Sequence, residues 1–410
     1  MELSFSSLFK KYNIDIFRTV YRNQSIHAFI VWCFLKYCLD LKMCNNTPES
    51  LSNYADLLAD FYNSRIDASK VEKMFIDVEA KYSLNGSLSR AASFFREETS
   101  FIKDIIKVVS QFDFKNDLET LLPGIRALIN FLVPRWSGRN TMGLTNLNVS
   151  RIASSILNVQ PDDLFVDFCS GTGLSTLEVV DDSNTQVVLA DINPDARTLS
   201  AMVLIMFQYK NFEIRSFYDL ENNIKVSKLF SDLPIIINNF DPDGTVSMGN
   251  HANFLFKAKK MLKDDGVAVL TVPGKYLFSA SDSIRYSRDV LIKEKYLDAV
   301  ITLPFTYEGT TVKTNLIVLK KNSEKPLFID ASKITANDEG MDAILEIYSN
   351  RQEINGLSKC LTGEQILKEG TSFSPARYTI KEEYFDIDEE LNKTETKLKE
   401  AIAHLRGLIK

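Results

Sequence analysis

The segment Leu164-Phe165-Val166-Asp167-Phe168-Cys169-Ser170-Gly171-Thr172-Gly173 is an apolar run closed by an acid and followed by two glycines. Glycine permits backbone conformations and a close ligand approach that a Cβ would block, and a helix starting near Leu174 turns free N–H groups toward whatever occupies the turn. Such a turn suits a ligand built on adenosine; an ordinary strand-to-helix turn is the competing reading. The dinucleotide fingerprint is incomplete, because Thr176 stands where its third glycine would be. A second acid, Asp191, closes Val187-Val188-Leu189-Ala190 about 20 residues later, where a carboxylate can accept hydrogen bonds from both ribose hydroxyls. Asp191-Ile192-Asn193-Pro194 also suits a helix cap. A third acid, Asp219, follows in Phe217-Tyr218-Asp219, where an acid can meet an adenine amino group and apolar rings can cover its face. Farther on, Ile235-Ile236-Ile237 runs into Asn238-Asn239-Phe240-Asp241-Pro242, a strand end at which a group-transferring enzyme would keep its reacting side chains.

These groups can converge only on a sheet whose strands end on one side. Strands are predicted at 164–168, 186–191, 212–215, 233–238, 266–272, 297–302 and 315–320, with helices between them, the alternation of a mostly parallel sheet. The helix over 252–262 is apolar at Phe254, Leu255, Ala258, Met261 and Leu262, which leaves Lys257, Lys259 and Lys260 as its solvated side or, alternatively, as a phosphate patch. Ahead of the sheet the spacing is helical, clearest in Ile26 to Asp40, which is apolar nearly all round. Pro134 to Gly143 reads as a linker or a loop over a site. The organisation is therefore a helical unit at 1–133, the sheet domain at 134–330, an α/β extension at 331–380 and a terminal helix at 381–410. In that last helix Leu391, Leu398 and Leu405 fall seven apart, a short seam that either docks on a partner helix or packs on its own chain.

Composition narrows the classes. The 410 residues and 45% apolar content suffice for two cores, and a net charge of −6 argues against binding nucleic acid through overall charge. Five cysteines without a paired CxxC pattern suit a reducing cytoplasm and speak against a disulfide framework or a metal site. No apolar stretch is long enough to span a bilayer.

Asp167 with Gly171 and Gly173 resembles the S-adenosylmethionine (SAM) loop of class I methyltransferases. Further motifs narrow the resemblance. Phe34-Leu35-Lys36-Tyr37-Cys38-Leu39-Asp40, Leu262-Lys263-Asp264-Asp265-Gly266 before Val267 to Pro273, Leu297-Asp298-Ala299-Val300-Ile301 through Leu303-Pro304 and Gly309-Thr310 to Thr314 to Asn322, and Phe373-Ser374-Pro375-Ala376-Arg377-Tyr378 together resemble the modification subunits of type I restriction-modification systems, the N6-adenine DNA methyltransferases. The resemblance implies a Rossmann-like, SAM-dependent methyltransferase sheet behind an all-α N-terminal domain. It implies SAM as methyl donor, held by Asp167, Gly171, Gly173, Asp191 and Asp219, and DNA as substrate, reached through a specificity subunit. It also implies a catalytic tetrapeptide Asn-Pro-Pro-Phe/Tyr, in which the Asn and a backbone carbonyl accept from the adenine amine and the ring stacks on the flipped base. Here that place falls to Asn238, Asn239, Phe240 and Asp241, a degenerate loop without the double proline. Phe168 replaces the proline of the family's D-P-x-x-G-x-G, and Gly143 to Asn148 departs from its G-x-x-x-T-P. An M-like scaffold that binds SAM or nucleic acid without catalysis is the alternative.

Overall fold

The computed structural model describes residues 25–43, 68–84, 86–88, 91, 105–106, 108–132, 145–220, 224–235, 250–307, 310–380, 391 and 394–402. The front helices are α1 (Ser25–Asp40), α2 (Ala68–Tyr82) and α3 (Leu118–Leu132). Helix α1 is buried along most of its length, from Phe29 through Cys38, as its all-round apolar sequence requires. At its end Lys36 pairs with Asp40, whose other oxygen accepts from the Phe114 backbone N–H at 3.0 Å.

Helix α4 (Leu147–Leu157) leads into β1 (Leu164–Asp167), α5 (Leu174–Val179), β2 (Gln186–Asp191), α6 (Pro194–Met206), β3 (Phe212–Ser216) and β4 (Val226–Ser231). There follow α7 (Asn250–Met261), β5 (Leu262–Pro273), α8 (Gly274–Phe278), α9 (Asp282–Lys293), β6 (Leu297–Thr306), β7 (Lys313–Lys320) and β8 (Leu327–Asp330). The chain continues through α10 (Asp338–Asn350), β9 (Ser358–Cys360), α11 (Gly363–Lys368) and α12 (Pro375–Tyr378). The nine strands lie in the order β3-β2-β1-β4-β5-β7-β6-β8-β9. Pairing is parallel from β3 to β5; β7 runs antiparallel between β5 and β6, and β9 is antiparallel to β8. This is a mixed α/β, methyltransferase-like sheet preceded by helices, and β9 extends the same sheet.

Alternate residues of each buried strand serve opposite faces. Phe165, Val187, Leu189, Phe230, Val269 and Ile301 face a core shared with the front helices, α4, α6 and α10. Val166, Val188, Leu229, Leu270, Val300 and Phe328 face a second core with α7, α9 and α11. None of the described helices is long and apolar enough to cross a membrane.

Two expectations need correction. The fourth strand is Val226-Ser227-Lys228-Leu229-Phe230-Ser231, whose polar residues hide it in a sequence scan; of the expected 233–238, residues 233–235 follow it outside any strand and 236–238 lie outside the described residues. It is selected by its neighbours: Phe165 to Asp167 pair with Lys228 to Phe230, and those in turn with Val267 to Val269. Likewise, Lys257 is not on the solvated side of its helix. It is buried, its Nζ donates to the Leu220 carbonyl at 2.7 Å, and it lies 4.9 Å from the centre of the Phe217 ring. Lys259 pairs with Glu294 across to α9. The linker at 134–143 lies outside the described residues.

Candidate active site

The chemistry gathers where β1, β2 and β4 end side by side. Gly171 and Gly173 both take positive φ, 53° and 77°. At Gly173 a Cβ would also sit 3.1 Å from Cα and Cβ of Ser200, so glycine there serves both the turn and the close approach of α6. Asp167 is fully buried beneath the turn. Its Oδ1 accepts the Cys169 N–H at 3.0 Å and its Oδ2 faces the Ser175 hydroxyl at 3.4 Å. Burial pushes its carboxyl up to about 8, with Asp191 and Asp232 adding repulsion that the two hydrogen bonds do not offset.

Asp191 stands at the end of β2, facing the glycine turn. Its Oδ2 accepts from Gly171 N–H at 3.0 Å and its Oδ1 from Asn193 N–H at 2.8 Å, so it ties the first loop to the second. The helix cap proper belongs to Asn193, whose side chain accepts from Asp195 N–H at 2.9 Å. A carboxylate has about four lone-pair sites, so with the N–H groups of Gly171, Ile192 and Asn193 on it there is room for about one ribose hydroxyl. Burial raises Asp191 as well, against the pull of its backbone donors and Arg197. Beyond it Ile192 is 54% exposed and, after β3, Tyr218 is 61% exposed, while Phe217 is sealed among Phe168 and Phe254. The exposed pair, not Phe217, is available to cover a base.

Asp219 stands apart. It lines a cavity of about 600 Å³ shared with Gly86, Ser87, Pro194, Arg197 and Arg215.

With β4 ending at Ser231, the residues at the strand's mouth are Asp232-Leu233-Pro234-Ile235. Reading by sequence missed them because the apolar run at 235–237 drew the strand downstream. Thr271 of β5 donates to Asp232 Oδ1 at 2.6 Å and accepts from Leu233 N–H at 2.8 Å, which fixes this turn to the next strand. Thr145, on the approach to α4, also donates to Asp232; burial nonetheless raises its carboxyl. His251, opening α7, donates from Nε2 to the Pro234 carbonyl at 3.0 Å, since a carbonyl can only accept. Burial lowers that imidazole to about 4, so it is neutral near pH 7. Asn238, Asn239, Phe240 and Asp241 lie outside the described residues.

The hydroxyls of Ser170, Thr172 and Thr176 in and after the glycine turn are buried without hydrogen-bond partners. The Ser231 hydroxyl lies beside the Cys169 thiol, and the buried Tyr307 hydroxyl lies near Thr271 and Asp232. Buried hydroxyls are ordinarily satisfied, so this concentration marks a place made for a polar ligand.

Residues 230–386 match the family model of N-6 DNA methylases. The N-6 methylase segment thus opens at the end of β4, one residue before the Ser231-Asp232 mouth. No curated protein sequence matches the chain. Among solved structures, the methyltransferase subunit of a type I restriction-modification system from Streptococcus thermophilus superposes with a TM-score of 0.69 at 16% identity, covering 92% of this chain and 99% of that one. A second type I system structure gives 0.69 at 16% identity, covering 99% and 98%. A modification subunit of a putative type I restriction enzyme from Vibrio vulnificus gives 0.61 at 14%, covering 92% and 97%. The chain therefore has the fold of the type I methyltransferase subunits, front helices included.

Proposed function

We propose that this chain is a SAM-dependent N6-adenine DNA methyltransferase subunit of restriction-modification type, acting on DNA beside a specificity subunit that reads the sequence. The observation that carries the reading is the match of residues 230–386 to the N-6 methylases on a sheet whose glycine turn and β4 mouth adjoin. The unpartnered hydroxyls and the glycine cradle fit SAM. Ser170, Gly171, Thr172 and Gly173 would hold its methionine end, Asp191 its ribose, and Ile192 and Tyr218 its base, with Asp219 at the outer rim. When bound, SAM supplies an electrophilic methyl on a sulfonium centre.

The acceptor residues shift with β4. Asp232 takes the strand-end position, with Leu233, Pro234 and Ile235 behind it in place of a double proline and a ring. Its carboxyl would accept from the target amine and orient the nitrogen lone pair. His251 and Thr271 hold the turn. An amine whose proton leaves after methyl attack needs little general-base help, so orientation supplies most of the rate. Asn239, with Asn238, Phe240 and Asp241, is the competing acceptor set.

The test is labelled-methyl transfer to plasmid DNA, with and without a co-expressed specificity subunit, reading N6-methyladenine by mass spectrometry. Asp232→Ala is expected to lower kcat by roughly 10²–10³-fold, Asp232→Asn to retain much of it, and Asn239→Ala to leave it near wild type. The reverse pattern would return catalysis to Asn239. SAM binding without transfer in any combination would overturn the enzyme reading in favour of a non-catalytic scaffold.

A further inference from the structure

Three carboxyl groups crowd the mouth of the sheet with almost nothing positive to balance them. Asp167, Asp191 and Asp232 terminate or directly follow the adjacent strands β1, β2 and β4. Asp167 is met by Cys169 from its own loop, Ser175 from α5, Asp191 from β2 and Asp232 from β4. Asp191 is met by the N–H groups of Gly171, Ile192 and Asn193 and by Arg197 of α6. Asp232 is met by Thr271 of β5 and Thr145 before α4, and it acts on Tyr307 beyond β6. The cation that bears most on this trio is Arg197, which acts on Asp191.

With Asp167 fully buried and Asp191 and Asp232 partly so, three full negative charges side by side are strongly disfavoured. A proton must stay on the cluster, and it rests on Asp167, the member fully enclosed by protein. A ligand that brings a positive centre to the mouth replaces that proton.

We propose that donor binding expels a proton from the Asp167–Asp191–Asp232 cluster, so that the site holds a sulfonium more tightly than the neutral thioether left after methyl transfer. This rests on the SAM reading of the site. In the transfer the S–CH₃ bond breaks with its electron pair left on sulfur, an N–CH₃ bond forms, and the methylated amine sheds a proton to water. The positive charge thereby leaves the pocket. The cluster takes a proton back from solvent, and the thioether product is held only by its neutral contacts. The carboxyl trio is thus a discriminator between donor and spent donor.

Calorimetric titration of the full chain from pH 6 to 8.5, in two buffers of different ionisation heat, tests this with SAM, S-adenosylhomocysteine and sinefungin. Sinefungin carries an ammonium in place of the sulfonium; all three carry an α-amino group, and each free ligand's own amine titration is measured separately and subtracted. The expected result is release of close to one proton per SAM or sinefungin near pH 7. Their Kd should fall by up to about tenfold per pH unit below pH 8 and level off above it, while the S-adenosylhomocysteine slope is less than half as steep. Asp167→Asn should flatten the SAM slope; if that variant does not fold, the wild-type proton count decides alone. Equal slopes and equal proton counts for SAM and S-adenosylhomocysteine would overturn the inference while leaving the cofactor assignment standing. Failure of all three to bind would overturn both.

Discussion

Asp167 is an acid kept protonated where most acids are charged, and this has a cost for the free protein. Its folded pKa, about 8, lies above its ordinary value of 3.8. The stabilising contribution is therefore full below the ordinary value and is lost as pH rises through about 8. Asp167→Asn is expected to raise the melting temperature of the ligand-free protein at pH 8 by roughly 2–4 °C and to have little effect at pH 5, as thermal melts at the two pH values would show. If the site holds SAM as proposed, the same variant is expected to lose the proton-coupled part of that affinity, the usual opposition of stability and function. Several features of the candidate site were legible because they are positional: Gly171 and Gly173 announce positive φ, and Asp191 ends a continuous apolar strand. Asp232 was not legible, because Ser227, Lys228 and Ser231 disguise β4 while Ile235, Ile236 and Ile237 imitate a buried strand. Ser170, Thr172 and Thr176 gave no signal at all, since only packing shows that a hydroxyl lacks a partner.

At the scale of elements, several residues of the recognised motifs turn out to be structural fastenings. Asp298 of β6 accepts from the Tyr348 hydroxyl at 2.9 Å and from Arg351 at 3.3 Å, and Lys320 lies 3.6 Å away, so it joins β6 to β7 and α10. Asn315 of β7 accepts from Thr302 of β6 at 2.8 Å and donates to the Val272 carbonyl of β5 at 3.2 Å, holding three strand ends in line. Arg288 of α9 is buried, and its guanidinium donates to the carbonyls of Thr371 at 2.7 Å, Tyr276 at 2.6 Å and Ser279 at 2.8 Å. Its charge is spread over three carbonyls with no carboxylate among those bonds. Arg288→Met would strand all three acceptors, and a loss of about 3 kcal/mol or more is expected from urea unfolding. Arg288→Lys should recover only part of this, because an ammonium cannot span the same fork. These fastenings explain why motif spacing located β5 to β7 well: the motif residues are the pins that set the register.

For the whole molecule, the tail remains the clearest open surface. Residues 394–402 are helical, Leu391 and Leu398 are 61% and 60% exposed, and Ile402 is 41% exposed. Leu405 and Leu408 lie outside the described residues. The double substitution Leu391→Asp, Leu398→Asp is expected to leave the melting curve of the isolated chain within about 0.5 kcal/mol of wild type. If this seam docks on a partner helix, the same variant should no longer co-purify with a co-expressed specificity subunit. Retention of the complex would make the seam dispensable for assembly. The charge of −6 suits this division of labour, since DNA contacts would then fall largely to the partner.

One hydrogen bond described by its neighbours in the cavity beside Asp219 has a mechanical meaning. Thr198 of α6 donates to the Ser87 carbonyl at 2.5 Å, and Gly173 of the cofactor turn touches Ser200 two residues along the same helix. Helix α6 is thereby a strut with the front helices at one side and the glycine turn at the other. A swing of the front unit must either carry this strut with it, and so disturb the turn, or part the Thr198–Ser87 bond. Linkage would then run both ways: a ligand that fills the turn would stiffen the joint, and a load on the front helices would be felt at the turn.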